Sequence, residues 1–388
     1  MLNSKGVREL AYVVRINEVR DIEGVNNQVA VVNGWTVFVK RDEFKVGDLA
    51  VYFEIDSKVP EKECFEFLRK YNFRVKTQKF VKGKVISQGL VIKPEDLGLS
   101  NVKEGDFLTE KLGVIYYEAE DNSRKAENNK YTSMQSRHRK FFKTKFGKWL
   151  MKREWGRKLC FFFLGRKIDK KTSFPTHFPY IHKSDEERVE NMPWILENKE
   201  PWIKTLKIDG TSSTYILERK GRKKFEFYVL SRNVRQLTPN QKCFHDDNVY
   251  WEMAEKYYIE DFLKEQLKLH SNWSYVCIQG ETAGPNIQAN PHGLKVRQFF
   301  GFNFIDSERG RWNSVEARDY VSRWGIPWVP IIDEHYILPD TLEELKATAD
   351  GPCELPGATG LREGYVYRDL NGDKSFKNVS NQFLLSKK

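Results

Sequence analysis

A lysine near the middle of the chain is the side chain best suited to covalent chemistry. Lys207 ends a strand-like run over residues 202–206, and Ile208, Asp209 and Gly210 follow it. A free lysine has a pKa of about 10.4, so its amine is a nucleophile at neutral pH only if cationic neighbours, burial or a metal ion lower that pKa. The pattern indicates either a catalytic lysine whose glycine lets a nucleotide sugar approach the backbone or a surface lysine that enters a tight turn.

Three acids in and after this stretch are candidates for holding a divalent metal ion. Asp209 follows the lysine closely, and Glu281 and Glu363 fall at the ends of later predicted strands. Mg²⁺ prefers oxygen ligands and keeps most of its waters, so we expect the three acids to act mainly through water. For any one of them alone, the alternative is a solvated acid at a strand end.

Positive and aromatic side chains complete a candidate nucleotide site. Lys377, with Lys374 behind it, is placed to hold an α-phosphate and to lower the pKa of Lys207. Arg232 is placed to meet a phosphate or a ribose. Phe302 is a candidate to stack on a base, although core packing is the commoner fate of a phenylalanine in a strand.

These residues belong to six short motifs that follow one another in order. The motifs are Lys207–Ser212, Ser231–Asn233, Gln279–Gly284, Phe299–Phe304, Glu363–Arg368 and Ser375–Lys377. Together they resemble motifs I, Ia, III, IIIa, IV and V of the covalent nucleotidyltransferases, the ligases and capping enzymes that carry AMP or GMP on a lysine. Each motif is short, and their common order makes the resemblance specific.

The order of the domains narrows the resemblance. DNA ligases and capping enzymes of this superfamily place an OB domain after motif V, whereas here a barrel-like region precedes the lysine and 11 residues follow Lys377. Residues 8–118 and 175–385 together are similar to the ATP-dependent RNA ligases with an N-terminal OB domain, the Naegleria and Deinococcus type. The supporting stretches are Gly34–Trp35, Phe44–Asp48, Tyr52–Ser57, Ser87–Leu90, Lys183–Asn191 and Ser380–Asn381.

The resemblance implies an enzyme that joins 3′-OH and 5′-phosphate ends of RNA. Lys207 would take AMP from ATP with release of pyrophosphate, the AMP would pass to a 5′-phosphate, and a 3′-OH would then displace it. ATP and Mg²⁺ or Mn²⁺ are the implied cofactors, and RNA ends are the implied partner. A nicked duplex of RNA or RNA/DNA is favoured, while a broken tRNA loop and free single strands stay open as substrates. Catalytic roles carry over onto Lys207, Arg232, Glu281, Glu363 and Lys377. The nucleotide-binding set is Lys207, Asp209, Gly210, Arg232, Glu281, Phe302, Glu363, Lys374 and Lys377.

Two other functions stay open, and the chain departs from the family pattern in three ways. DNA nick sealing is disfavoured by the domain order, and nucleic-acid binding on an inactive ligase scaffold is disfavoured by the retained charged residues. Leu206 replaces a glutamate before the lysine, and Asn303 replaces an aspartate. In motif V, Ser375 and Val379 stand where a second lysine would lie two residues from Lys377.

Three regions must position these residues, in a fold of the α+β class. Residues 1–118 are predicted to form an OB-like β-barrel, because β-branched and aromatic runs alternate with turn residues such as Asn33-Gly34. Residues 119–174 are predicted to be a basic linker, and residues 175–388 a nucleotidyltransferase domain of antiparallel sheets flanked by helices. Its strands are expected near 202–206, 213–218, 225–231, 275–281, 299–305 and 363–368, its helices over 248–269 and 314–324, and a short capped helix from Ser184 to Met192.

The positive charge of the chain is concentrated in one segment. Residues 137–171 carry 14 Lys and Arg and two acids, a net charge of +12, while the whole chain carries +11. We favour contact with a nucleic-acid backbone over an anionic membrane surface or a helix packed on a domain. A second group, interleaved with Tyr71, Phe73 and Phe80, is predicted either to follow a phosphate backbone or to form a solvated loop. Its cations are Arg69, Lys70, Arg74, Lys76, Lys79, Lys82 and Lys84.

Length and composition limit the remaining function classes. A chain of 388 residues that is 40% hydrophobic and 14% aromatic has room for about two or three folded domains. There is no run of about 18 apolar residues, and the first six residues lack the apolar core of a signal peptide. We therefore expect a monomer without a membrane partner in the cytoplasm, the nucleus or, for a viral protein, the host cytoplasm. The five cysteines are far apart and form no zinc pattern, which favours reduced thiols.

Overall fold

The computed structural model describes residues 1, 7–117, 185–221, 224–232, 235–236, 238–240, 243, 245 and 247–387, and also residues 141, 144, 149, 150, 160 and 181. Most of the predicted linker, most of its basic segment, and the residues Ser184 and Asn233 lie outside this description. The chain divides into two compact units, one formed by residues 1–115 with 172–388 and the other by residues 116–171. All the elements named below lie wholly in the first unit, except the strand Ile115–Tyr116, which has one residue in each unit.

Short strands build the N-terminal region, as predicted. They are β1 (Ala11–Arg15), β2 (Glu18–Asp21), β3 (Asn27–Val32), β4 (Trp35–Lys40), β5 (Leu49–Phe53), β6 (Ser57–Lys58), β7 (Gln78–Phe80), β8 (Val85–Ser87), β9 (Leu90–Ile92) and β10 (Ile115–Tyr116). Strand β5 lies between β1 and β9, and β3 lies between β2 and β4. Helix α1 (Thr109–Leu112) packs beside β1. Alternate side chains of β4 are buried, which is the pattern of a strand with one face on a core.

The tight turn predicted at Asn33-Gly34 is confirmed. Asn33 and Gly34 have φ angles of 46° and 74°, the left-handed values that a two-residue hairpin loop requires, and Val32 lies opposite Trp35. A Cβ at Gly34 would lie 2.8 Å from Cδ2 of Leu342. The glycine therefore serves twice, because it forms the turn and lets the turn pack on the C-terminal domain.

Two sheets build the C-terminal domain. Their strands are β11 (Glu187–Arg188), β12 (Trp202–Lys207), β13 (Thr211–Arg219), β14 (Phe225–Ser231), β15 (Arg235–Gln236), β16 (Tyr275–Ala283), β17 (Gln298–Asp306), β18 (Gly310–Arg311), β19 (Ile331–Tyr336), β20 (Gly364–Asp369) and β21 (Ser375–Val379). One sheet has the order β15-β14-β13-β16-β17-β18 and the other β11-β21-β20-β12-β19. Their described pairs are antiparallel, as predicted, apart from the short parallel pair β11–β21. One core cluster, which includes Trp202, Tyr215 and Phe304, contains residues of both sheets.

Five α-helices accompany the sheets in the described part of this domain. They are α2 (Val249–Lys256), α3 (Ile259–Leu269), α4 (Ser314–Ser322), α5 (Leu342–Ala347) and α6 (Asn381–Ser386). The helical region predicted over 248–269 is confirmed, and it consists of two helices, because Tyr258 adopts a left-handed φ of 50° that separates α2 from α3. No helix in the described residues has both the length and the apolar character needed to cross a bilayer.

The prediction of a short capped helix before Met192 is wrong for the first half of that segment. Glu187 and Arg188 form β11, whose partners are Phe376 and Lys377 in β21. Only Val189–Asn191 forms a 3₁₀ turn. An isolated helix this short is marginal, so backbone pairing with a neighbouring strand wins locally.

Candidate active site

Strand pairing brings Lys207 and Glu363 together. Lys207 is the last residue of β12 and lies opposite Gly364, the first residue of β20. Glu363 precedes that glycine and is 8% exposed. Its Oε2 lies 2.8 Å from Nζ of Lys207. The proposed nucleophile therefore forms a largely buried ion pair with the acid of motif IV.

The loop after Lys207 crosses from one sheet to the other. Asp209 and Gly210 connect β12 to β13, where Ser212 lies opposite Glu281 of β16. A Cβ at Gly210 would collide with the backbone carbonyl of Thr282. The close contact between loop and strand thus explains the glycine, and the approach of a nucleotide sugar to it stays a prediction. The sheet pairing places Glu281 beside the lysine.

A cavity of about 480 Å³ opens over this junction of the two sheets. It contains every residue of the predicted nucleotide-binding set except Lys374. Those residues are Lys207, Asp209, Gly210, Arg232, Glu281, Phe302, Glu363 and Lys377. Residues scattered over motifs I, Ia, III, IIIa, IV and V therefore line one space.

Lys374 is not brought to this cavity. Side chains alternate between the two faces of a strand, and Lys377 and Val379 of β21 both line the cavity. Lys374 precedes the strand, is exposed, and donates its backbone N–H to Oδ1 of Asp369 at 3.1 Å. Its predicted nucleotide contact finds no support in the geometry.

The neighbours of Lys207 hold it as an ammonium. Burial by itself lowers the pKa of the amine, but the attraction and hydrogen bond of Glu363, with the charges of Glu281 and Asp209, outweigh burial and raise the pKa. This direction is opposite to the lowered pKa expected for a nucleophile. The side chains of the site therefore do not activate Lys207 unaided, and further positive charge is needed.

The pKa values of the two glutamates, Glu281 and Glu363, are shifted in opposite directions. Desolvation raises the pKa of Glu281 to about 8, and the positive charge of Lys207 offsets only part of that rise. Burial also acts to raise the pKa of Glu363, but its pair with Lys207 outweighs burial and leaves the pKa lowered. At neutral pH Glu363 is a carboxylate and Glu281 is mostly a neutral acid.

Arg232 and Lys377 meet at one carboxylate. Arg232 forms an ion pair with Asp185, and Nζ of Lys377 lies 3.5 Å from Oδ1 of the same residue. Burial lowers the pKa of Lys377, Asp185 opposes that shift, and the charge of Lys207 adds to it. The two cations predicted to bind phosphate thus face the same part of the cavity.

Two arginines at the cavity were missed by the reasoning from sequence. Arg188 and Arg368 both line it. Arg368 donates to the carbonyl of Phe302 and to Glu186, both at 3.0 Å. The available signal was that Arg188 lies in the supporting stretch Lys183–Asn191 and that Arg368 ends motif IV.

Two further residues hold Asp209, and they were missed as well. The backbone N–H of Asp209 donates to Nε2 of His292 at 2.9 Å. Nζ of Lys387 lies 2.8 Å from Oδ2 of Asp209. Both contacts join distant parts of the chain, so no local pattern could have revealed them.

The departures from the family pattern have structural consequences. The backbone N–H of Leu206 donates to the carbonyl of Pro330 at 2.9 Å, and its side chain is buried. Asn303 donates to Oε1 of Gln279 at 2.9 Å, and Gln279 lines the cavity. Val379 places an apolar side chain where a second motif V lysine would lie.

The acids fit a hard divalent cation that keeps its water shell. Asp209, Glu281 and Glu363 all lie near enough to Lys207 for their charges to raise its pKa. Carboxylate oxygens are the ligands that Mg²⁺ and Mn²⁺ prefer. Within the described residues, no three His, Cys, Asp or Glu side chains form a group that could ligate a metal directly. Contact of a metal with these acids mainly through water stays a prediction.

The predicted basic and aromatic group in the barrel contains structural residues, which are ion-paired or buried, and exposed lysines. Arg69 pairs with Glu66, and Arg74 pairs with Asp56. The ring of Phe73 is buried in a core cluster, which makes it a structural residue. Lys82 and Lys84 are exposed.

Family models match both halves of the chain. A model described as RNA ligase matches residues 200–379, and a model described as OB-fold domain matches residues 10–94. The first match contains all six motifs, and the second covers strands β1 to β9. No curated protein sequence matches the chain significantly.

Solved structures of one enzyme resemble the whole chain. Naegleria gruberi RNA ligase with PPi is 28% identical, with a TM-score of 0.61, and the match covers 97% of this chain and 98% of that chain. A mutant of the same enzyme with ATP and Mn is 27% identical at a TM-score of 0.61, and a mutant with AMP and Mn is 27% identical at 0.62. Both of those matches also cover 97% of this chain and 98% of the other.

Proposed function

We propose that this chain, which belongs to the RNA ligases with an N-terminal OB-fold domain, seals RNA through a lysyl-AMP intermediate on Lys207. ATP supplies the AMP, Mg²⁺ or Mn²⁺ is the metal, and the substrate is a 5′-phosphate beside a 3′-OH in a nicked duplex. The observation that carries the proposal is the position of Lys207. Its amine lies in a cavity of about 480 Å³ together with cations and acids of four other motifs and the ring of Phe302 from the fifth.

The size and lining of the cavity support a nucleotide as the first substrate. Small-molecule sites have volumes of about 300–1,000 Å³, and this cavity falls in that range. Phe302 offers a partly exposed ring for a base, and Arg232 and Lys377 offer positive charge for phosphates. Arg188 and Arg368 add two guanidinium groups, which suit bidentate contact with phosphate oxygens.

The protonation of Lys207 is the obstacle that the site must overcome. Asp209, Glu281 and Glu363 would hold a divalent ion, whose positive charge would compete with the ammonium for Glu363 and so would lower the pKa of Lys207. Lys377 repels the ammonium in the same direction, because the two amines interact electrostatically. Glu281, with its pKa of about 8, can carry a proton at neutral pH and thereby limits the negative charge beside Lys207.

The N-terminal domain supports RNA as the second substrate. OB-fold domains commonly bind single strands and strand ends by combining cations with exposed rings. Exposed Lys82 lies in the short 3₁₀ turn Val81–Gly83 that follows β7, and exposed Lys84 comes directly after this turn. Nearby, Phe38 and Phe80 stack at 4.2 Å between ring centroids. These residues are our candidates for phosphate and sugar contacts.

The test uses ATP labelled at the α-phosphate and nicked duplexes with ribose or deoxyribose 3′-ends. We expect label first on the protein, then on the 5′-phosphate of the nick, and finally in free AMP as the ribose-ended nick is sealed. Equal sealing of both duplexes would assign the activity to nicks in general. Protein that never takes up label would contradict the proposal and leave nucleic-acid binding as the function.

A further inference from the structure

The last described helix reaches into the active site. Leu384 of α6 lines the cavity, and Lys387, directly after the helix, extends its amine to 2.8 Å from Oδ2 of Asp209. The side chain of Lys387 is 39% exposed, whereas that of Asp209 is 13% exposed. An ammonium from outside the six motifs therefore neutralises an acid that we expect to interact with the metal.

Several contacts fix this helix in place. Ser380 caps it by accepting the backbone N–H of Phe383, and the ring of Phe383 stacks on His292 at 6.0 Å between centroids. His292 in turn accepts the backbone N–H of Asp209. From the N-terminal domain, Lys79 donates to the carbonyls of Leu385 and Lys387. Lys387 is therefore held from both domains, and its helix is linked through His292 to the loop that its amine reaches.

The charge of Lys387 must affect cation binding at Asp209. An ammonium that is 2.8 Å from a carboxylate occupies a position where a cation, or a water of its shell, would interact with that oxygen. Like charges repel, so a divalent ion can approach Asp209 closely only if the ammonium moves or its repulsion is overcome. The chain offers no second lysine in motif V, and Lys387 brings a second lysine to the site from another direction.

We propose that Lys387 is a positioning residue that holds Asp209 and competes with the divalent cation for it, so that the last helix sets the metal requirement of the site. The inference rests on the proposed function for its biological meaning. The physical effect that we infer is that removal of this one positive charge tightens metal binding. It also explains why the N-terminal domain holds the end of α6, because Lys79 keeps the competing amine within reach of Asp209.

The test measures Mn²⁺ binding to the full chain without ATP or RNA, from the electron paramagnetic resonance signal of free Mn²⁺. Lys387→Ala and Lys387→Met should each bind Mn²⁺ about tenfold more tightly than the wild type, because one nearby positive charge is lost. Lys387→Arg should retain the wild-type dissociation constant. Asp209→Asn should reduce the effect, so that adding Lys387→Met to Asp209→Asn changes Mn²⁺ binding much less than Lys387→Met changes that of the wild type. A small gain remains, because the charge of Lys387 also acts on Glu363.

Lys199→Ala is the matched control, because Lys199 also lies 2.8 Å from an aspartate, Asp340, but outside the cavity. It should leave Mn²⁺ binding unchanged. Unchanged or weaker binding in both Lys387→Ala and Lys387→Met would overturn the proposal, and so would a gain that is undiminished in the presence of Asp209→Asn. The labelling of wild-type protein with ATP is scored separately, so failure of the proposed ligase activity is distinguishable from failure of this inference.

Discussion

At the scale of single residues, the site is a set of opposed charges arranged around one amine. Lys207 is held as an ammonium by Glu363, while Lys387 holds Asp209 and Asp185 holds Arg232 and Lys377. Each of these ion pairs engages a side chain that must contact ATP or the metal ion in the proposed chemistry. Polyphosphate and a divalent cation must therefore exchange partners with these pairs, and the pKa values of the site should respond to that exchange.

The raised pKa of Lys207 leads to a direct prediction. The removal of the Glu363 charge by Glu363→Gln takes away the main cause of the raised value, so the pKa of Lys207 should fall. The measurement is the pH dependence of acylation at Lys207 by a small amine-reactive reagent, read by peptide mass spectrometry without ATP or metal. The curve for the variant should shift to lower pH. A curve that stays in place would show that Glu363 does not control the amine.

Glu281 should make the fold more sensitive to alkaline pH. Its folded pKa of about 8 lies above the ordinary value of 4.5, so its contribution to stability is present below pH 4.5 and is lost as pH rises towards 8. Glu281→Gln cannot ionise and avoids that loss. At pH 8.5 the variant should be more stable than the wild type by about 2 kcal/mol, after a discount for solvent that reaches the cavity.

Thermal and denaturant unfolding at pH 5 and pH 8.5 check this prediction for Glu281. The gain should be larger at the higher pH. Glu363→Gln is the contrasting variant, because the lowered pKa of Glu363 stabilises the fold above about pH 4.5 and its loss leaves Lys207 without its partner. Equal stability differences for Glu281→Gln at the two pH values would contradict the assigned protonation.

At the scale of elements, the site depends on strand register. Lys207 meets Glu363 because β12 and β20 pair, and Ser212 meets Glu281 because β13 and β16 pair. The strands themselves could be predicted from apolar and β-branched runs. Their partners could not be derived from periodicity, because pairing is decided by tertiary packing, and only the order of the motifs suggested that they converge.

The site residues that could not be predicted from sequence are those whose position depends on tertiary packing. Eight of the nine predicted nucleotide-site residues line the cavity, whereas Lys374 does not. His292 and Lys387 reach Asp209 through contacts between distant elements, which carry no local pattern. The split between α2 and α3 at Tyr258 was missed for a similar reason, since a left-handed tyrosine has no sequence signature.

Gly210→Ala tests the loop that joins the two sheets. The added Cβ would collide with the carbonyl of Thr282, a backbone group with little freedom to move. We expect a loss of about 1–3 kcal/mol in the free energy of unfolding, and a fall in lysyl-AMP formation because Lys207 is displaced. Gly221→Ala is the control, since the nearest atom to its Cβ is a side-chain atom at 3.9 Å. Near-wild-type stability of Gly210→Ala would refute the packing role.

At the scale of the whole molecule, the N-terminal and C-terminal domains contact each other near the active site. The guanidinium of Arg188, a cavity residue, lies 5.2 Å from the ring of Trp35 in the N-terminal domain. Gly34 packs against Leu342, and Lys79 contacts the end of α6. The N-terminal domain therefore supports the active site directly, and its removal would change more than RNA binding.

The basic segment should govern the salt dependence of RNA binding. If residues 137–171, with their net charge of +12, make about five phosphate contacts, log Kd should change with log salt with a slope of about 4 in magnitude. Replacement of the segment's Lys and Arg by Gln should flatten that slope, measured by fluorescence anisotropy with a nicked duplex. Lysyl-AMP formation should be unaffected. An unchanged slope would place the phosphate contacts elsewhere, with Lys82 and Lys84 as the next candidates.

The most direct test of the central claim is the transfer of label from α-labelled ATP to the protein. Wild-type chain with Mg²⁺ or Mn²⁺ should acquire label on the peptide that contains Lys207. Lys207→Ala should acquire none, and Lys207→Arg should also fail, because a guanidinium with a pKa above about 12 stays protonated. Label that persists in Lys207→Ala, or that maps to another residue of the wild type, would contradict the assignment of Lys207 as the nucleophile.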